Sequence, residues 1–230
     1  MALDFDTIPP ITRRWWVAGH IVLAPGIMGV KRLSVRGKEH LPKSGPTLVV
    51  CNHVSQLDPP TMGLAASPRK GYYMAKVELF SIPLYRRIIW RSGAFPVERG
   101  QADRRALRLA REVLRRGDML LMFPEGTRSP QGRLRPGLPG AGWLALEPGV
   151  TVVPAAIWGS QHRLRKVRVV YGPPIDLSDL REGPRSRRSQ AAVERMLAAV
   201  AELLPQAGGP AQPPPGGRDP AEAPPEVVDG

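Results

Sequence analysis

TLVVCNHVSQLD, residues 47–58, runs from five uncharged residues directly into an imidazole and a carboxylate. Thr47 to Cys51 reads as a short buried strand that Asn52 ends. A helix is expected near Ser55, with Asp58 three positions on and Pro59 in the first turn, in the manner of a capping box. MLLMFPEGTRS, residues 119–129, repeats the plan: an apolar strand from Met119 to Phe123 meets polar groups at once. In α/β folds ligands gather at the carboxyl ends of strands, which gives both stretches weight.

Outward from these two, GYYMAK (71–76), Ala94–Val97, Val150–Val153 and Arg168–Tyr171 read as further strands. The clearest helix is Asp103–Arg116, where Ala106, Leu107, Ala110, Val113 and Leu114 repeat at helical spacing. Arg104, Arg105, Arg108, Arg111 and Arg115 fill much of its other face, and Gly117 is the expected C-cap. A last helix over Ser189–Leu204 buries Val193, Met196, Leu197, Val200, Leu203 and Leu204. ELFSIPLYRRIIW, residues 78–90, is apolar but interrupted by Pro83. Strands alternating with helices predict an α/β fold with a mostly parallel or mixed central sheet flanked by helices.

The chain of 230 residues suits one domain with one substantial core. Three segments are expected: a membrane-interface segment over 1–30, the folded domain over 31–205, and a disordered Pro/Gly-rich tail over 206–230 with little apolar surface to offset its ordering entropy. WWVAGHIVLAPGIMGV, residues 15–30, is shorter than the ~20 residues that span a bilayer, and its tryptophans suit the headgroup level. A buried helix is its other reading. The formal net charge of +13 fits DNA, RNA or anionic lipid equally. The single cysteine, Cys51, excludes an intrachain disulfide and reads as a buried thiol.

His53 and Asp58 come within hydrogen-bond reach if the chain turns into a helix between them. A carboxylate on one ring nitrogen fixes the tautomer and makes the other a better proton acceptor. A packed histidine beside a capping aspartate is the plain alternative. No G-x-S-x-G elbow supplies a hydroxyl nucleophile, Ser55 serves better as a cap, and Ser160 lacks the strand-turn-helix pattern. The hydroxyl to be deprotonated is therefore expected on a substrate. Arg128 beside Gly126 and Thr127 suits a phosphate, with Glu125 orienting Arg128, a backbone amide or a substrate hydroxyl. Arg99, in GAFPVERG, can converge from another loop. A solvated turn with a surface ion pair is the alternative here. No P-loop, no G-x-G-x-x-G and no zinc-ligand spacing occur, so no metal is expected.

NHVSQLD followed by GAFPVERG, FPEGTRS and a Val-Pro block at Val153, Pro154 and Ile157 resembles the glycerolphosphate acyltransferase superfamily, and within it the 1-acyl-glycerol-3-phosphate acyltransferases. AKVELFSIPLY, residues 75–85, is similar to the family's linking segment. Four ordered motifs over roughly residues 30–175 carry the resemblance. One departure stands out: in GRLRPGLPG, residues 132–140, Gly137 and Leu138 replace the family's usual Phe and Lys.

The resemblance implies an O-acyltransferase moving a fatty acyl group from a thioester of coenzyme A or acyl carrier protein to a lysophospholipid hydroxyl, with no permanently bound cofactor. His53 would be the general base and Asp58 its partner. Arg99, Glu125, Gly126, Thr127 and Arg128 would hold the acceptor, with Asn52, Ser55, Lys76 and Pro154 in support. The acceptor implied is 1-acyl-sn-glycerol 3-phosphate, and the missing lysine at 138 leaves another lysolipid or alcohol open. A thioester or lysolipid hydrolase and a non-enzymatic scaffold stay as alternatives. Peripheral or monotopic attachment to the cytoplasmic face of the cell membrane is expected, through the N-terminal segment, the 80–90 region with Tyr85 and Trp90, and arginines facing anionic headgroups. No nucleic acid is expected as a partner.

Overall fold

The structure, a computed structural model, describes residues 4–12, 32–98, 103–129, 131–162 and 165–215. The expected interfacial stretch at 15–30, Arg99 and residues 216–230 of the tail lie outside the described residues.

Seven strands among them form one sheet: β1 (Ser34–Arg36), β2 (Thr47–Cys51), β3 (Gly71–Lys76), β4 (Ala94–Val97), β5 (Met119–Met122), β6 (Thr151–Trp158) and β7 (Arg168–Tyr171). Their order is β1-β7-β6-β2-β5-β3-β4, parallel throughout except between β6 and β7. Five helices among the described residues flank it: α1 (Asp58–Ala66), α2 (Pro83–Arg91), α3 (Arg104–Arg115), α4 (Pro139–Ala145) and α5 (Arg185–Ala207). This is the mixed α/β sandwich that the alternation predicted.

β2 lies mid-sheet and is buried along its whole length. Its residues divide between two layers, which is why it reads as an unbroken apolar run rather than an alternating one. Leu48 and Val50 pack with Ala110 and Val113 of α3, Leu144 of α4 and Val193 of α5. Val49 and Cys51 pack with Met62, Ala65 and Ala66 of α1. The arginine-bearing helix α3 and the site-forming helix α1 thus lie on opposite sides of the sheet.

Several boundaries differ from expectation. β1 has three residues and no apolar run to announce it. β6 runs on to Trp158 although Pro154 lies inside it. The Pro154 carbonyl accepts the Gly172 N–H at 2.9 Å, one step past the last β6–β7 pair, Ala155 with Tyr171. The N–H that proline lacks therefore falls where β7 has ended. Pro83 does not interrupt a helix but opens one, in the first turn where a missing N–H leaves nothing unpaired.

Trp90 is not available to an interface: it is 3 % exposed, with Phe5 edge-on against it at 5.2 Å. Exposed on α2 and its approach are instead Ile82, Leu84, Tyr85 and Ile88, Leu84 at 71 %. Part of the α3 arginine face is engaged within the chain, Arg111 with Glu147 at 2.8 Å and Arg116 with Glu112 at 3.3 Å.

The folded domain also extends beyond residue 205. α5 continues to Ala207 and closes on Gly208 in the left-handed conformation, φ 89°. Gln212 then donates to the Gly132 carbonyl at 2.6 Å and accepts the Leu134 N–H at 2.9 Å. Through its side-chain amide Gln212 thus joins the start of the expected tail to the backbone of residues 132–134, a contact that composition alone could not supply.

Candidate active site

The end of β2 is fastened to β6 by one side chain. Asn52 accepts the Ile157 N–H at 2.8 Å and donates to the Ile157 carbonyl at 3.0 Å. It does for one more step what a ladder does, so His53 leaves the sheet at a fixed point.

His53 Nδ1 lies 2.8 Å from Asp58 Oδ2, and the two residues are 4 % and 0 % exposed. The same carboxylate oxygen accepts the backbone N–H groups of Val54 and Ser55, each at 2.7 Å. Asp58 therefore closes the turn on itself. The expected cap is corrected accordingly: α1 begins at Asp58 after Leu57, without a side-chain cap, and Ser55 Oγ only accepts the Leu57 N–H at 3.2 Å. A carboxylate can only accept, so Nδ1 carries the proton and Nε2 is left as the ring's proton acceptor. Phe123 stacks on the imidazole at 4.2 Å and 21°.

The loop after β5 holds the same histidine by its backbone. Glu125 Oε1 accepts the His53 N–H at 3.1 Å, and Oε2 accepts that of Arg135 at 3.1 Å. The Ser129 N–H donates to the His53 carbonyl at 2.7 Å. Both oxygens of Glu125 are thus engaged by backbone N–H groups, and the buried side chain joins the His53 strand end to the loop at Arg135. Its burial pushes the carboxyl up to about 7, against the pull of those two N–H bonds. Gly126 turns the loop at φ +66°, and a Cβ there would sit 2.6 Å from Leu138 Cδ1. Leu138, where the resemblance leads one to expect lysine, packs against this turn. At Gly137 a Cβ would fall 2.1 Å from Val193 of α5, so the helix occupies the room a phenylalanine needs.

Thr127 is half-buried and Arg128 exposed. Lys76 ends β3 with its ammonium 2.8 Å from Glu78. Pro154 is in the interior of β6, a packing residue, and Arg99 is not described. Cys51 is fully buried, and burial pushes its thiol well up, away from any nucleophilic thiolate.

A cavity of about 460 Å³ opens beside His53, between α1, α2 and the sheet. Val49, Met62, Tyr73, Leu121 and Ile88 give it largely apolar walls, and Lys76 and Arg128 also border it. Such a space takes an alkyl chain, and two cationic side chains on its border suit an anionic group. Among the described residues no set of three or more His, Cys, Asp or Glu could hold a metal, and no helix is long and apolar enough to cross a membrane.

One participant escaped the sequence reading. Ser160, 102 residues from Asp58, donates its hydroxyl to Asp58 Oδ1 at 2.5 Å. Set aside as a nucleophile, it points its proton at the aspartate, and no local pattern marks that role.

The profile of the Acyltransferase family matches residues 32–158. The chain is 29% identical over 182 residues to the 1-acyl-sn-glycerol-3-phosphate acyltransferase of Bacillus subtilis, across 74% of this chain and 90% of that one. It is 37% identical over 146 residues to the lyso-ornithine lipid O-acyltransferase of Pseudomonas aeruginosa, across 63% of this chain and 52% of that protein's own length. The crystal structure of the 1-acyl-sn-glycerophosphate acyltransferase PlsC from Thermotoga maritima superposes with a TM-score of 0.63 at 28% identity, across 83% of this chain and 78% of that one.

Proposed function

The chain belongs to the Acyltransferase family, and from that premise we propose that it moves a fatty acyl group from an acyl-CoA or acyl carrier protein thioester to the free hydroxyl of a lysophospholipid, 1-acyl-sn-glycerol 3-phosphate foremost. The observation that carries this reading is the His53–Asp58 pair, 2.8 Å apart, bordering an apolar cavity with cationic side chains beside it. His53 Nε2 takes the proton of the acceptor hydroxyl as its oxygen attacks the thioester carbonyl. The new C–O bond forms, the C–S bond breaks, and the imidazolium returns the proton to the departing thiolate. Asp58 stabilises that imidazolium, while Arg128 and Lys76 hold the acceptor phosphate so that the hydroxyl reaches the imidazole. The cavity takes an acyl chain and keeps water from the thioester.

Leu138 supports a second acceptor. With an exposed leucine in place of a cation, the loop has one fewer group for a phosphate monoester, and a phosphate-free lysolipid becomes competitive. The relative from Pseudomonas aeruginosa bears the name of such an activity. Purified protein with acyl-CoA and a panel of lysolipids decides between them by free thiol and lipid product. Ester formation on lysophosphatidate supports the first reading, and formation only on a phosphate-free acceptor replaces it with the second. Thiol release that needs no acceptor overturns both in favour of a hydrolase.

The exposed Ile82, Leu84, Tyr85 and Ile88 of α2, with Arg87 exposed among them, suit the surface of an anionic bilayer. Tyr85 and Ile88 also border the cavity, so a lipid reaching His53 would enter from the membrane side. Peripheral attachment at the cytoplasmic face of the cell membrane is part of this proposal.

A further inference from the structure

We propose that Ser160 is a positioning residue of the acyl-transfer site, acting on His53 through Asp58. The proposal rests on the reading of His53 as the base. It concerns a residue two positions beyond the 32–158 span that the family profile covers.

Asp58 divides its partners unequally. Oδ2 receives three donors, all from residues 53–55: the imidazole Nδ1–H and the N–H groups of Val54 and Ser55. Oδ1 receives the Ser160 hydroxyl, at 2.5 Å and from the turn that follows β6. Three bonds to one oxygen fix that atom but leave the carboxylate able to swing about it. The fourth, on the other oxygen, sets the plane of the group and with it the direction in which Oδ2 meets the ring. The short distance is that of a charge-assisted bond between hydroxyl and carboxylate.

The fold holds Ser160 in place for this. β6 ends at Trp158, and Gly159 turns the chain at φ +94°, where a Cβ would meet the Lys166 carbonyl oxygen at 2.1 Å. The Gln161 side chain accepts the Gly159 N–H at 3.0 Å and tightens the same turn. Three residues before Ser160, Ile157 is clamped by Asn52 through two hydrogen bonds. β6 is therefore registered against the His53 turn at both Ile157 and Ser160. Asp58 is 0 % exposed and Ser160 2 %, so no water replaces the hydroxyl without rearrangement. Ser160 gives its proton to Asp58 Oδ1 while His53 meets Oδ2, an arrangement that suits a hydroxyl orienting the carboxylate rather than one delivered to the base.

The test compares Ser160→Ala, Ser160→Cys and Ser160→Thr with His53→Ala, on purified full-length protein with acyl-CoA and the accepted lysolipid. Ser160→Ala is expected to lower kcat roughly ten- to hundredfold, with KM for both substrates within about twofold, because neither substrate touches Ser160. Ser160→Cys nearly keeps the volume with a weak donor and should fall with alanine, whereas Ser160→Thr keeps the hydroxyl and should recover most of the turnover. Thermal melts accompany each variant. If alanine unfolds the protein, the comparison of cysteine with threonine carries the test. Wild-type kcat in the alanine or cysteine variant, or a loss confined to KM, overturns the proposal. His53→Ala retaining turnover brings down the reading of the base itself, whatever Ser160 does.

Discussion

The backbone of His53 is held by the side chain of Glu125: the N–H of one meets the carboxylate of the other at 3.1 Å, across 72 residues of sequence. Ser129 closes the grip from the other side by donating to the His53 carbonyl at 2.7 Å. The loop that follows β5 thus sets the base, while the helix that follows β2 orients its ring through Asp58.

Replacing His53 with alanine is expected to lower turnover roughly a hundred- to ten-thousandfold while the melting temperature moves by a few degrees. Turnover within tenfold of wild type would remove His53 from the chemistry.

Glu125 gives the stability a pH dependence of definite sign. Its folded pKa of about 7 lies above the ordinary 4.5, so between those values the folded chain binds more protons than the unfolded one. This group's stabilising contribution is complete below pH 4.5 and is lost as the pH rises through about 7, by up to ~3 kcal/mol. Asp118 is also raised by burial, so the wild type is compared with Glu125→Gln in denaturant titrations at each pH. The difference between the two should slope downward over that window, and parallel profiles would assign the slope elsewhere.

Gly126→Ala should destabilise the fold by roughly 1–3 kcal/mol, because the residue needs φ +66° and its Cβ would press on Leu138. Urea midpoints read this directly. Pairing the change with Leu138→Ala should relieve only the steric share, leaving the backbone cost in place.

Leu84→Glu on α2 is expected to weaken co-sedimentation with anionic vesicles about tenfold or more and to leave the unfolding midpoint nearly unchanged, since Leu84 is 71 % exposed. Zwitterionic vesicles should bind less than anionic ones. Equal binding of the variant and the wild type would place the contact surface away from α2.

Both strand ends that carry the site were legible in the sequence, because β2 and β5 are buried on two faces and their apolar runs stop abruptly after Cys51 and Phe123. α3 was equally plain from its 3.6-residue period, and Asp103 caps it through the Ala106 N–H at 2.8 Å. β1 was not, having three residues without an apolar pattern. The second half of β6 was hidden by Pro154, which local rules read as a strand breaker. The role of Glu125 was open between three partners, since its charge says what it accepts but not which N–H faces it.

By itself the sequence determined which groups stand at the ends of two buried strands, because burial is written in local periodicity and side-chain type. Only the tertiary structure decided how they serve one another: that Glu125 holds the backbone of His53, that Ser160 reaches Asp58, that Trp90 is covered and that Val193 fills the room at Gly137. Each of these joins residues far apart in the chain, and their meeting depends on sheet order and register, which no local run of residues encodes.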